Sequence, residues 1–342
     1  MKINLGRRSY ILIFDDHDIK ISFPVANFSL FRKKIMRLSK SFSEEFKPRD
    51  KIIIFIVYFL FYPIHLFYKI FYVETWSIYI SDSIEELVKG IHSEIFPHSK
   101  KFFAADPFFL NEKILYEFAE RPFITGKVMS LDNHKEKLTR DLISEKYHLS
   151  FPASFKKNSK TYILPEMSTQ SYQSIYEIKS NLFQEHNKIR TFLPALVDPV
   201  IFNFQGEDFL IGTEAGILQN NLLKIIKLND FEILEEIQVL KSDGDARNGS
   251  KVFTKDGKLF RYAQNNLLYY GHSLTLQEII IEWPEVSFRN IETLLPPESF
   301  DGIHTLDHNG SEYVYDLKKY SFSFLNPLFL LFEKFITYIK AA

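Results

Sequence analysis

The chain has 342 residues, a formal net charge of −1 and no cysteine. This length allows one large domain or two modest ones. A net charge near zero gives no global field that would attract nucleic acid, and the lack of cysteine excludes a disulfide framework, a thiolate metal site and a thiol nucleophile.

Residues 1–73 differ in composition from the rest of the chain. Residues 10–14, Tyr-Ile-Leu-Ile-Phe, read as a strand, residues 32–51 are rich in lysine and arginine, and residues 52–68 are almost wholly apolar. We expect an apolar helix over 52–72, at the lower limit of the roughly 17–25 residues that span a bilayer. A basic flank favours anionic lipid, so the segment predicts membrane association. The alternative is a buried helix packed on the rest of the chain. A cytoplasmic location is the corresponding alternative to a membrane-associated one.

A pattern of two short strands recurs five times between residues 102 and 320. Each copy starts with a small or polar residue, passes through an apolar strand, a turn and a second aromatic strand, and ends in a polar residue. The copies start about 45 to 53 residues apart, which is the spacing of propeller blades. Their turns are Asn111-Glu112, Asn158-Ser159, Gln205-Gly206, Asp256-Gly257 and Asn309-Gly310, and such residues favour hairpins with φ > 0.

These repeats predict an all-β fold, a five-bladed β-propeller over residues 74–320. Five unrelated hairpins in an ordinary all-β domain are the alternative. Residues 76–80 predict a strand that closes the ring, and residues 84–89 a short helix. Residues 172–178 and 221–226 predict outer strands. Residues 321–342 predict an apolar C-terminal helix that covers the core or lies in a membrane interface.

Polar residues at the hairpin bases predict a site. The start of the first strand and the end of the second lie at the same end of a hairpin, so all five bases should surround one end of the propeller axis. Carboxylates there would accept hydrogen bonds from sugar hydroxyls. The residues concerned are Asp106, Asp198, Asn248 and His304 at strand starts, and Glu120, Glu166, Glu214, Gln264 and Asp316 at strand ends.

Several short motifs in this order resemble one known family. They are Ala105-Asp106-Pro107-Phe108, residues 148–152 (HLSFP), Leu164-Pro165-Glu166, Asp198-Pro199, and residues 261–265 (RYAQN) followed by Tyr270-Gly271. Together they resemble the propeller domain found in glucosamine inositolphosphorylceramide transferases and in bacterial polysaccharide-cluster proteins. That domain is similar in fold to the five-bladed propellers of arabinanases and invertases.

The resemblance implies roles for three carboxyl positions. In the glycosidase relatives, one acts as base or nucleophile, a second orients the sugar, and a third is the general acid. Asp106 and Asp198 match the first two positions, whereas Asn248 stands at the third. An amide cannot donate a proton to a leaving group, which puts simple hydrolysis in doubt and leaves Glu166 as a substitute acid.

Other residues predicted on the same face are candidates for ligand binding. Arg247 and Arg261 could pair with a phosphate, or instead neutralise nearby carboxylates. Tyr270 could stack on a sugar ring. His148 and His304 are candidate ligand contacts, although a lone histidine is more often a structural donor. The sequence predicts no metal and no cofactor.

Three functions fit this interpretation. The first is a carbohydrate-binding or glycosyl-transferring propeller in polysaccharide or glycolipid biosynthesis, with a sugar, sugar-phosphate or glycolipid as ligand. The second is a glycoside hydrolase with a non-standard acid. The third is a non-enzymatic scaffold for a separate glycosyltransferase. Whether the chain is an enzyme stays open at this point, and a membrane surface is a further expected partner.

Overall fold

The computed structural model of the chain describes residues 2–5, 9–14, 19–24, 66–67, 70–121, 125–133, 138–179, 186–216, 220–241, 244–267, 269–328 and 330–331. The chain divides into two compact units, residues 75–319 and residues 1–74 with 320–342. The predicted division at residues 73 and 320 stays a prediction.

The smaller unit begins with an antiparallel sheet of three strands in the order β1-β2-β3. The strands are β1 (Lys2–Leu5), β2 (Ser9–Phe14) and β3 (Ile19–Pro24). The strand expected over residues 10–14 is therefore present. Most of the helix expected over 52–72 lies outside the described residues, as do residues 332–342 of the expected C-terminal helix. Within the described ranges, no helix is both long enough and apolar enough to cross a bilayer.

The larger unit is a propeller of five four-stranded antiparallel sheets, which confirms the predicted fold. The chain enters through β4 (Tyr72–Ser81), α1 (Ile84–Lys89) and β5 (Ser93–Glu94). The Ser83 side chain accepts from the Glu86 N–H at the start of α1, and Gly90 ends it with φ of 75°.

Four blades follow in chain order. Blade I is β6 (Phe102–Leu110), β7 (Lys113–Glu120), β8 (Lys127–Asn133) and β9 (Leu138–Ile143). Blade II is β10 (Ser150–Lys157), β11 (Lys160–Glu166), β12 (Tyr172–Ile178) and β13 (His186–Pro194). Blade III is β14 (Val197–Phe204), β15 (Glu207–Thr213), β16 (Leu222–Asn229) and β17 (Glu232–Leu240). Blade IV is β18 (Phe253–Lys255), β19 (Lys258–Asn265), β20 (Ser273–Glu282) and β21 (Glu285–Leu294).

Blade V joins the two ends of the propeller sequence. Its strand order is β22 (Leu306–His308), β23 (Tyr313–Phe322), β4, β5. The strand expected over residues 76–80 is thus the one that closes the ring. Closure through a shared sheet leaves few exposed sheet edges.

The hairpin turns have the backbone that their residues predict. Both central residues have positive φ at Asn158-Ser159 (50° and 61°), Gln205-Gly206 (51° and 83°) and Asp256-Gly257 (51° and 74°). Two-residue turns of this hand match the twist of the flanking strands. They fix which residues of the two strands face each other.

The hydrophobic core lies between neighbouring blades. Leu115 of blade I, for example, packs in one cluster with Ile163 and Tyr176 of blade II, and Leu164 of blade II packs with Ile201 of blade III. Phe108 and Phe151 meet edge to face, with ring centroids 4.7 Å apart. Burial of these side chains joins sheets that share no strand pairing.

Candidate functional site

Three blades begin with the same backbone irregularity. The first strands of blades I, II and III each have a register shift, at residues preceding a proline. The residues before these prolines have positive φ: 52° at Asp106, 45° at Phe151 and 49° at Asp198. Positive φ is unfavourable for residues other than glycine, least so for Asp and Asn. The bulge turns the N–H of that residue away from its own hairpin.

Carboxylates of neighbouring blades accept these N–H groups. Asp316 of blade V accepts from Asp106 N (2.9 Å), Asp106 accepts from Phe151 N (3.1 Å), and Glu166 of blade II accepts from Asp198 N (3.0 Å). All three carboxylates are buried. The acidic residues at the hairpin bases therefore connect successive blades, a structural role that counting charges in the sequence does not show.

His304 lies between two of these carboxylates. Its Nδ1 is 2.9 Å from Asp316 Oδ1, and its Nε2 is 3.1 Å from Asp106 Oδ1. Burial favours the neutral ring, but the Asp316 and Asp106 carboxylates outweigh it and raise the pKa of His304 to about 10. Burial likewise favours a neutral Asp106, but the His304 imidazolium and the Thr305 hydroxyl, which donates at 2.7 Å, hold its pKa at about 2. His304, Asp106 and Asp316 thus form a buried triad with the imidazolium at its centre.

Asp198 has a different set of partners. Arg247 donates to it through two nitrogens, at 2.6 and 3.1 Å, and Gln264 Nε2 donates at 2.9 Å. Burial raises the pKa of Asp198 to about 8; the Arg247 guanidinium opposes this rise and the Glu166 carboxylate adds to it. Gln264 also donates to Asn248 O at 2.8 Å, so these polar groups connect blades III and IV.

Glu117 is a site residue that the sequence analysis missed. It is 3% exposed and lies on β7, opposite Ala105. Burial and the Asp106 carboxylate raise its pKa well above the usual range, and its side chain is in hydrogen-bonding reach of Asp106. Two carboxyl groups can share a hydrogen bond only if one of them is protonated. Because Asp106 already accepts from Thr305 and from Phe151 N, the proton belongs to Glu117.

His148 connects Glu117 to the surface. Its side chain is 34% exposed, its Nδ1 accepts from Gly126 N at 2.9 Å, and its Nε2 lies 3.3 Å from Glu117 Oε1. The bond to Gly126 places the proton of a neutral ring on Nε2, facing Glu117. We call Asp106, Glu117, Glu166, Asp198, Asp316 and His304 the buried acid cluster.

The hairpin register explains which strand-end residues reach this cluster. Counting outward from the turn at 111–112 places residue 117 across from residue 106, and counting from the turn at 158–159 places residue 166 across from residue 151. The same count in blade III reaches Thr213, which pairs with Val197. Successive side chains of a strand point to opposite faces of the sheet, so an error of one residue in the count selects a side chain on the wrong face. An exact count from the turn at 111–112 would have identified Glu117 from the sequence.

Two predicted binding residues lie outside the buried acid cluster. Glu120 is exposed and pairs with Phe102 at the far end of the hairpin, three residues beyond Glu117. Glu214 is exposed, one residue beyond Thr213, and forms an ion pair of 2.6 Å with Lys224. The expectation that they join the ring of carboxylates is wrong, because Glu120 lies three residues and Glu214 one residue beyond the position that faces the strand start.

Two further predicted residues are internal to the fold. Asn248 donates to the carbonyl oxygens of Asp198 (2.7 Å) and Ile211 (3.1 Å), and accepts from Arg261 at 2.6 Å. Arg261 is fully buried, and its other donors go to backbone carbonyls and to Gln277. Neither side chain is placed to contact a ligand, which corrects the expectation for both.

Glu166 is poorly arranged as a substitute acid. Its Oε2 accepts from Asp198 N at 3.0 Å, and its Oε1 accepts from the Ser168 hydroxyl at 2.7 Å. A carboxyl group whose two oxygens both accept hydrogen bonds from the protein has neither oxygen directed to donate a proton to a ligand. In the cluster, burial raises the pKa of both Glu117 and Asp198, and Glu117 is the one beside the partly exposed His148.

Tyr270 and the Arg247 side chain, which is 11% exposed, form an aromatic and cationic edge on this face, which we call the rim. Tyr270 is 37% exposed, and the Arg247 guanidinium carbon lies 5.4 Å from its ring centroid. Tyr270 also contacts the rings of Trp76 and His304 (6.0 and 5.3 Å). The buried Lys318 ammonium donates to Tyr270 O and holds the backbone there.

Three members of the buried acid cluster also have the spacing of metal ligands. One ligand atom each from Asp106, His304 and Asp316 lies within 4.8 Å of the other two. A metal would need a neutral imidazole nitrogen, whereas both nitrogens of His304 face carboxylates and its pKa is raised. Metal binding there would require His304 to lose a proton.

The sequence matches a known protein family over most of the propeller. The model of the family described as "Glucosamine inositolphosphorylceramide transferase 1, N-terminal" matches residues 91–305. The chain belongs to this family. The match includes every member of the buried acid cluster except Asp316, and it confirms the resemblance drawn from the short motifs.

The curated relatives are longer proteins. Glucosamine inositolphosphorylceramide transferase 1 of Arabidopsis thaliana is 28% identical over 160 residues, which cover 44% of this chain and 21% of that protein. The protein of the same name from Oryza sativa subsp. indica is 27% identical over 195 residues, covering 52% and 26%. The chain thus matches about a fifth to a quarter of their length.

Solved structures similar to this chain include glycoside hydrolases. A GH43 β-xylosidase/α-arabinofuranosidase from a compost microbial metagenome has a TM-score of 0.44 at 12% identity, covering 65% of this chain and 91% of the other. A GH43_1 enzyme from Xanthomonas citri has a TM-score of 0.45 at 10% identity, covering 70% and 93%.

Proposed function

We propose that this chain binds the sugar or sugar-phosphate part of a glycolipid or polysaccharide intermediate and functions in the biosynthesis of that product. The family match and the two plant relatives, which are named as glycosyl-transferring enzymes of a glycolipid, support this proposal. Whether the chain itself transfers a sugar or only binds one is a separate question, since it matches a limited part of those relatives.

The observation that carries the proposal is the composition of the rim. A half-exposed Tyr270 ring lies beside the Arg247 guanidinium. Aromatic rings offer an apolar face and a polar tip, a combination that suits the C–H face and the hydroxyls of a sugar. Two of the five N–H donors of Arg247 bond to Asp198, and the guanidinium fork is suited to phosphate.

The buried acid cluster fixes the rim in place. Asp198 orients Arg247, and His304 and Trp76 pack against Tyr270. A binding group that is already ordered loses less conformational entropy when the ligand arrives. The cluster therefore contributes to sugar binding by holding Tyr270 and Arg247 in position. The sequence analysis had instead suggested that the carboxylates of the cluster contact the sugar directly.

Glycoside hydrolysis is less well supported. Retaining and inverting glycosidases place two carboxyl groups roughly 5 to 9.5 Å apart across the scissile bond. Glu117 and Asp106 are in direct hydrogen-bonding reach, and the oxygens of Glu166 accept from Asp198 N and from Ser168. Binding, with or without transfer, is the simpler function for this arrangement.

The test is a binding panel on the purified chain, measured by calorimetry. The panel contains hexoses, hexosamines, uronic acids and hexose 1-phosphates. We expect Tyr270→Ala to weaken binding of the active compound about tenfold or more, because it removes the stacking face. Tyr172→Ala, an exposed tyrosine on blade II, is the matched control and should bind as wild type does.

Two results would contradict the proposal. One is a panel in which no compound binds. The other is binding that Tyr270→Ala and Arg247→Lys leave intact although both variants are folded. A partner glycosyltransferase that co-purifies while the rim is dispensable would favour the scaffold function instead.

A further inference from the structure

Two segments that are distant in sequence meet in the smaller unit. Ser323 N donates to Phe71 O at 2.7 Å, and the Asn326 side chain donates to Ile70 O (2.9 Å) and Tyr72 O (3.2 Å). Phe322 stacks on Phe71 with ring centroids 6.0 Å apart. The chain just before the propeller and the chain just after it are therefore joined side by side.

Large apolar side chains project from this junction into solvent. We call them the apolar patch: Leu66, Phe67, Phe324, Leu325, Leu328 and Leu331, which are between 40% and 79% exposed. Residues 326–328 and 330–331 are helical, so residues 324, 328 and 331 follow the spacing of one helical face. A cluster of this kind usually marks an interaction surface, since single exposed apolar residues are common but grouped ones are not.

The sequence on either side of the apolar patch is rich in apolar residues. Residues 52–65 precede it and contain no Asp, Glu, Lys or Arg, and residues 332–339 follow it with five Phe, Ile or Tyr residues beside Glu333, Lys334 and Thr337. Each segment alone is short for stable attachment to a membrane. Stable anchoring generally needs two weak signals together, and the junction joins described residues that lie next to both segments in the sequence, 70–72 and 322–326.

The charge of residues 32–51, which precede the apolar segment, helps to decide what covers the apolar patch. Residues 32–51 contain eight Lys or Arg and three Asp or Glu. An anionic bilayer attracts such a segment. A second copy of the chain would carry the same basic segment, and like charges disfavour the association of two copies.

We propose that the apolar patch is a contact surface for a lipid bilayer with anionic headgroups. The surface would place the chain at a membrane, and it does not depend on what the propeller binds. The occupant is the lipid itself, with the leucine and phenylalanine side chains of the patch in its outer apolar layer.

The experiment uses the lack of cysteine in the chain. Phe324→Cys and Leu328→Cys variants of the full chain carry one environment-sensitive fluorophore each. Phe192→Cys is the matched control, because Phe192 is 86% exposed on β13 of the propeller. Vesicles of phosphatidylcholine, with and without phosphatidylserine, are added, and brominated lipids serve as quenchers.

We expect the labels at 324 and 328 to shift to shorter wavelength with phosphatidylserine vesicles and to be quenched by brominated lipid, with no response at 192. Phe324→Asp with Leu328→Asp should reduce vesicle partitioning about tenfold, and Phe192→Asp should not.

Three outcomes would overturn the proposal. If the fluorescence of the labels at 324 and 328 does not change when vesicles are added, a lipid contact there is excluded. A shift that depends on protein concentration without lipid would indicate a second copy. A label that is already shielded in dilute protein, and unchanged by lipid, would show that the chain covers the patch itself. Sugar binding is measured separately, so loss of one function leaves the other testable.

Discussion

The buried acid cluster and the rim occupy the same face of the propeller but use polar groups in different ways. In the cluster, Asp106 and Glu166 satisfy N–H groups of neighbouring blades, and His304 is held between two carboxylates. At the rim, Tyr270 and Arg247 keep part of their surface accessible. The comparison shows that an acidic residue at a strand start can serve the assembly of the blades rather than the ligand. Changes in the cluster should therefore alter stability first.

The largest effect should come from Asp106→Ala. The substitution removes the acceptor of Phe151 N and one partner of His304, which leaves a buried cation partly unpaired. Breaking a buried ion pair in this way typically costs about 3–5 kcal/mol of unfolding free energy. Urea denaturation followed by circular dichroism measures it.

Glu120→Ala in the same hairpin is the control. Glu120 is exposed, so its loss should change the unfolding free energy by no more than about 0.5 kcal/mol. Equal effects of the two substitutions would mean that the cluster does not hold the blades together.

A second effect should appear as pH dependence. The pKa of His304 is raised from 6.5 to about 10, so above pH 6.5 the folded chain keeps a proton that the unfolded chain releases. Stability from this histidine is complete below pH 6.5 and declines as the pH rises toward 10. The free energy of unfolding in urea should fall over that range, by roughly 1.4 kcal/mol for each pKa unit of the shift.

The variant His304→Gln should remove most of this decline. A wild-type stability that is flat or rising between pH 6.5 and 10 would show that His304 is not held as an imidazolium in the folded chain.

Among changes within the buried acid cluster, the smallest effect on stability should come from Glu117→Gln. A neutral amide can replace a protonated carboxyl as donor to Asp106, so we expect a change within about 1 kcal/mol at neutral pH. Infrared spectroscopy at pH 7 should show the carbonyl stretch of protonated carboxyl groups in the wild type. Glu117→Gln should lose the Glu117 contribution to this band, and a contribution from Asp198, whose pKa burial raises to about 8, should remain. A band that is equal in the wild type and in Glu117→Gln would show that Glu117 is ionised.

The fold was more predictable than the site because it follows from local chemistry. Turn residues such as Asn158-Ser159 and Asp256-Gly257 have side chains that tolerate positive φ, and each turn fixes the pairing of the strands beside it. The site depends on which residue of the second strand lies across from the strand start, and this requires an exact count from each turn. The predicted residue was the counted one in blade II, Glu166. It lay three residues too far in blade I, Glu120 instead of Glu117, and one too far in blade III, Glu214 instead of Thr213.

The role of a polar residue was harder to predict than its place. Asn248 stands where a general acid is expected, and the sequence could suggest only that an acid is missing. The structure adds that its amide bonds to Asp198 O, Ile211 O and Arg261. No feature within a single hairpin shows hydrogen bonds made to the next blade.

By itself the sequence determined the repeat, the number of blades, the strand that closes the ring and the family, because turn chemistry and strand alternation act over a few residues. Only the tertiary structure decided that a carboxylate of one blade accepts an N–H of the next blade, that burial and the nearby Asp106 raise the pKa of Glu117, and that two apolar segments meet at one patch. Those contacts join residues far apart in the chain, and their energies depend on burial, which arises when the blades close around the axis.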